Sequence, residues 1–194
     1  MILRRVVAPL IVLASASPAF AHTGHGASGF VHGFAHPLGG IDHVLAMVAV
    51  GLYAAMLGGR ALWLIPASFL GAMAIGGVMG MADYGLPYTE IAIAISVIGL
   101  GLAVALRISL PTITATALAG LFAIFHGHAH GAEMPQSISG CEYAAGFLLA
   151  TVLLYAIGIA AGLTAGRLAE RGGWHIAQAA GIAITVAGIA LLAN

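Results

Sequence analysis

The chain has 194 residues, of which 61% are hydrophobic and only 6% charged, and its mean hydropathy is +1.08. Soluble domains carry about a quarter charged residues, so this composition is that of a membrane protein. Six arginines, no lysine and six acidic residues cancel to zero formal charge, and no basic stripe exists to hold a phosphate backbone, so nucleic acid is not an expected partner.

Arg4 and Arg5 precede an apolar stretch over 6–14, and Pro18 leads into Ala19-Phe20-Ala21, a small-x-small site of the kind signal peptidase cuts. Residues 1–21 therefore read as a signal peptide, since the apolar stretch falls short of the roughly 20 residues that cross a bilayer. The alternative is an uncleaved anchor. Cleavage would leave residues 22–194 as a single membrane domain whose outer N-terminus carries His22 and His25. That tail either catches metal loosely or is a plain polar lead-in.

Six apolar runs follow, over 33–57, 62–81, 88–106, 112–130, 142–163 and 174–193, each long enough to span. Short breaks rich in Gly, Pro or charge separate them. The expected fold is all-α, a polytopic bundle of six transmembrane helices after the signal peptide. A cleaved signal puts the mature N-terminus outside. Arg60, Arg107, Arg167 and Arg171 then all fall inside, while Asp83, Glu133 and Glu142 fall outside, as the positive-inside rule requires. Gly76-x3-Gly80 and Gly158-x3-Gly162-x3-Gly166 predict close helix packing within the bundle, and on a lipid-facing surface the same spacing would support a homo-oligomer. The single Cys141 excludes an intrachain disulfide and reads as a small residue near a span end.

Polar groups in such a chain need a reason, because a charged side chain at mid-span costs about 2.5 to 3.5 kcal/mol on the insertion scale. They gather in two places. In the first run, HPLGGIDH places His36 and His43 seven residues apart, on one face of a continuous helix, with Asp42 beside His43. Pro37, Gly39 and Gly40 loosen that helix, which is tolerated where backbone lines a cavity or is buried in protein. In the fourth run, FHGHAHGAE puts His126, His130 and Glu133 on one helical face, while His128 points elsewhere.

With the topology above both clusters lie in the outer half of the bundle, so the six residues His36, Asp42, His43, His126, His130 and Glu133 are expected to converge on a site for a divalent transition metal. Asp42 could instead orient an imidazole, and Glu90, at the outer end of the third run, reads rather as an interfacial carboxylate. His32 is a secondary candidate. The structural alternative is a Glu–His network that locks two helices together.

These two motifs, at the first and fourth spans, resemble those of the HupE/UreJ family of bacterial nickel and cobalt permeases. The likeness covers the whole chain. It implies a six-span protein of the inner membrane that imports Ni²⁺ or Co²⁺ as a transported ligand, with no permanent cofactor and no enzymatic activity. No G-x4-G-K-[ST] occurs, so the chain does not hydrolyse ATP by that route. A membrane metalloenzyme is the competing class, although no HExxH occurs, and a metal-sensing accessory subunit is the third.

Overall fold

A computed structural model describes residues 29–135, 137–168 and 173–193. The expected signal peptide and the His22/His25 tail lie outside the described residues. Among those described, the chain forms seven α-helices and no strand. They are α1 (Gly29–Gly39), α2 (Ile41–Leu57), α3 (Ala61–Met81), α4 (Thr89–Ala105), α5 (Thr112–Ala132), α6 (Gly140–Arg167) and α7 (Gly173–Leu192).

Four of them, α3, α5, α6 and α7, are long and apolar enough to cross a membrane, and α1 with α2 makes a fifth crossing if the bent pair is one span. The 17-residue α4 is apolar but shorter. The chain is thus a multi-pass membrane protein.

The first apolar run differs from its expected form. The spacing predicts one helix carrying His36 and His43 on a common face, yet the run breaks at Gly40 and turns by 82°. Pro37 removes a backbone donor from the end of α1, and Gly40, at φ −95° and ψ 113°, is extended where it caps α2. His36 therefore belongs to α1 and His43 to α2, and the bend rather than helical periodicity relates them.

Small residues set the helix pairing. Ser68 Oγ donates to the Thr116 carbonyl at 3.1 Å, Gly76 faces Ile124 and Gly80 faces His128, so α3 and α5 run parallel in one constant register. Gly127 and Gly131 answer from α5, each lying directly against the α3 backbone at Met73 and Gly77. Close backbone approach of this kind is how helices associate where apolar side chains gain little by leaving lipid.

In the same way α2 runs parallel to α6, with Gly51 against Tyr155 and Gly162 against Ala55, and α7 lies antiparallel to α4, with Gly181 against Ala105 and Gly188 against Ile98. These are the directions of a chain that reverses at every connection. The central element is α2, whose residues from Ala46 to Ala55 are nearly all buried, surrounded by Ile65, Phe69 and Met73 of α3 and Val97 of α4. A helix apolar all round belongs in such a position.

Gly127 offers a direct check on this packing. A Cβ there would collide with the Met73 carbonyl, so Gly127→Val is expected to cost about 1 to 3 kcal/mol, the usual scale of overpacking. A lowered midpoint of thermal unfolding in detergent would report it. Gly71→Ala, which meets nothing within 4 Å, should leave the midpoint unchanged.

Candidate metal centre

The outer end of the site is built on the contact of α1 with α6. The Gly29 amide donates to Glu142 Oε2 at 3.1 Å, and Gly33 and Gly146 let the two backbones touch at Tyr143 and Phe30. This seats His36 beside Tyr143, with ring centroids 5.7 Å apart, while the Tyr143 hydroxyl donates to the His130 carbonyl at 3.4 Å. Four helices then contribute to one file of side chains.

Glu133, which caps the C-terminus of α5, faces His36 with Oε2 and Nε2 3.0 Å apart. Next, the His36 and His130 rings meet edge to face at 4.8 Å. His130 Nε2 lies 2.7 Å from His43 Nδ1, and the His43 ring stands 5.6 Å from that of His126. Finally, His126 Nε2 lies 2.7 Å from Ser96 Oγ on α4. Exposure falls along this file, from 61% for the Glu133 side chain through 29% for His36 to 8% for His130, and to zero for His43 and His126. Phe147 flanks His43 and His130, and Phe69 closes the inner end against His126.

His36, His130 and Glu133 each offer a ligand atom, and these atoms lie within 4.8 Å of one another. Bonds of about 2 Å put opposed ligands of one ion roughly 4 Å apart, so the three need only a small side-chain adjustment to reach bonding distance. Deeper in the file, His130 Nδ1, His43 Nε2 and His126 Nδ1 are buried without a hydrogen-bond partner. The contact between His130 and His43 holds one proton between two imidazoles, so when both are neutral one of the outlying nitrogens carries a bare lone pair and the other an unused N–H. Buried polar atoms left unpaired cost about 1 to 3 kcal/mol each and call for a functional reason. A divalent cation supplies one, since imidazole nitrogen is a borderline donor suited to nickel, cobalt and zinc.

Outside the file opens a cleft of about 290 Å³, walled by His36, His130 and Glu133 and by Gly39 and Gly40 at the bend. Asp42 and Glu90 add two carboxylates to it.

The family model described as HupE / UreJ protein matches residues 10–191. The chain belongs to the HupE/UreJ family. It is similar to "Protein HupE" of Rhizobium leguminosarum bv. viciae, at 46% identity over 188 residues that make up 97% of each chain. No solved structure matches.

Within this HupE/UreJ chain, the structure brings His36, His130 and Glu133 into one group and joins His43 and His126 to it as a deeper pair. Asp42 stands apart from the imidazole file. Among the described residues no imidazole hydrogen-bonds to it; its Oδ1 instead lies over the start of α2 at Gly40, where a helix N-terminus favours negative charge. His128 points away, as its position predicts, and its Nε2 donates to the Tyr84 carbonyl at 2.6 Å. His32 is exposed on α1.

Glu90, expected as an interfacial carboxylate, is exposed and also lines the cleft beside Asp42. Ser96 carried no signal at all, because a single serine in an apolar helix is ordinary.

Proposed function

We propose that the protein is a permease that imports Ni²⁺ or Co²⁺ across the bacterial inner membrane, with the mature N-terminus outside and six crossings. The observation that carries this reading is the file itself: carboxylates at a wet mouth, then imidazoles of falling exposure, ending at two fully buried histidines with unpartnered ring nitrogens. A structural lock between two helices would satisfy its donors and acceptors; this arrangement leaves them open.

Asp42, Glu90 and Glu133 attract the hydrated cation to the cleft, and His36, His130 and Glu133 take it from water. His43 and His126 receive it next, each exchange trading one nitrogen for another a few ångströms inward. Transfer in such steps keeps a dehydrated ion liganded throughout, which is needed where hydrocarbon offers no solvation. A histidine on α1, one on α2 and two on α5 make the route, so the bend at Gly40 is part of it, exposing backbone where it lines a cavity.

The test is radioactive nickel uptake by cells lacking their own nickel transporters, with cobalt as competitor. Expression of this chain is expected to raise uptake at low nickel, and cobalt in excess to reduce it. Uptake no higher than in empty-vector cells, with the protein present in the membrane, would defeat the permease and leave the accessory-subunit reading.

A further inference from the structure

Ser96 lies in the middle of α4, fully buried, and its hydroxyl makes two contacts. The oxygen is 2.6 Å from the Ile93 carbonyl and 2.7 Å from His126 Nε2. A hydroxyl has one proton to give, and a carbonyl can only accept. Both contacts are hydrogen bonds only if Ser96 donates to Ile93 and accepts from His126, so the imidazole proton of His126 sits on Nε2. The other ring nitrogen, Nδ1, is then a bare lone pair, and it is the buried atom that has no partner.

We propose that Ser96 is a positioning residue that fixes the tautomer of His126, presenting Nδ1 as the innermost metal-accepting atom of the file. The inference rests on the permease reading for its consequence but not for its geometry. Ring orientation follows from the same contact, because a hydrogen bond at Nε2 anchored to the α4 backbone stops the imidazole from turning its N–H toward the incoming cation. Metal-ligating histidines commonly give their second nitrogen to such a partner, and loss of the partner typically costs 10- to 100-fold in affinity or activity.

Capture and inward transfer fall on different residues, so their kinetic signatures differ. Ser96→Ala should lower the maximal rate of nickel uptake by about 10-fold or more and change the half-saturating concentration little. Glu133→Gln, at the mouth, should instead raise the half-saturating concentration. Ser96→Thr keeps a hydroxyl able to bond back along the helix and should restore the rate.

A second readout does not depend on transport. Nitrogen-15 spectra of the metal-free, histidine-labelled protein, with His126 assigned by its loss in His126→Gln, should show a protonated Nε2 and a bare Nδ1. In Ser96→Ala the two forms should mix.

A bare Nε2 in the wild type overturns the proposal, as does unchanged uptake in Ser96→Ala. A wild-type protein that moves no nickel defeats the permease reading and leaves the tautomer to decide the role of Ser96.

Discussion

His43→Ala and His126→Ala are each expected to reduce nickel uptake at least 10-fold, toward background, while His128→Ala and His25→Ala keep most of it. Among the described residues His43 and His126 are the two histidines with no exposure, and each holds an unpartnered ring nitrogen in the file. Removing either leaves a gap in a route whose remaining nitrogens cannot span it with bonds of about 2 Å. His128 is on the same helix two residues on, but its Nε2 is spent on the Tyr84 carbonyl, so its loss weakens one tie between α5 and the loop after α3 and touches no step of transfer. His25 lies in the segment before α1, outside the described residues. Alanine also opens a cavity, so His43→Gln and His126→Gln serve as fuller replacements. They should accumulate in the membrane as the wild type does and still fail to transport. Equal losses at all four positions would show that general histidine richness, and not this file, carries the metal.

The same comparison shows what could be read from residue types alone. Hydropathy located α3 to α7 to within about four residues, because bilayer-scale apolar runs leave few alternatives to helix when backbone groups must be satisfied internally. The face argument for His126, His130 and Glu133 also held, since Glu133 keeps helical dihedrals, φ −84° and ψ −3°, one residue past the end of α5. His128 was separable by the same periodicity.

The first run was less legible. Pro37, Gly39 and Gly40 announced a weakness, but an 82° turn depends on α1 finding α6, through contacts of Gly33 and Gly146 that no local pattern reveals. The glycines of FHGHAHGAE were similarly opaque. Gly127 and Gly131 sit between the histidines to admit the α3 backbone, so the motif combines a ligand face with a packing face. Ser96 was beyond reach for a different reason: its role lies in which atom donates, and that follows only once Ile93 and His126 are both placed around it.

Acidification is expected to slow uptake at low nickel, and excess nickel to restore it in part. A ligating imidazole must be neutral, and histidine titrates near 6.5, so protons compete with metal across about pH 7.5 to 5.5. The sign follows from the contacts at the mouth. His36 Nε2 lies 3.0 Å from Glu133 Oε2, and any proton on either atom must leave before a cation can take both. Lower pH favours protons over metal at these mouth atoms, and the half-saturating concentration of nickel is expected to rise.

The maximal rate should stay nearly constant if competition for the ligands is all that changes, because saturating metal displaces the proton at every pH. Initial rates measured over a range of nickel concentrations at each pH separate the two parameters. An importer driven by inward proton flow would behave in the opposite way, its rate climbing as the outside acidifies. Uptake at subsaturating nickel that rises steadily from about pH 7.5 to 5.5 would therefore remove simple competition at these histidines as the controlling step and make proton coupling the better account of how the file is emptied.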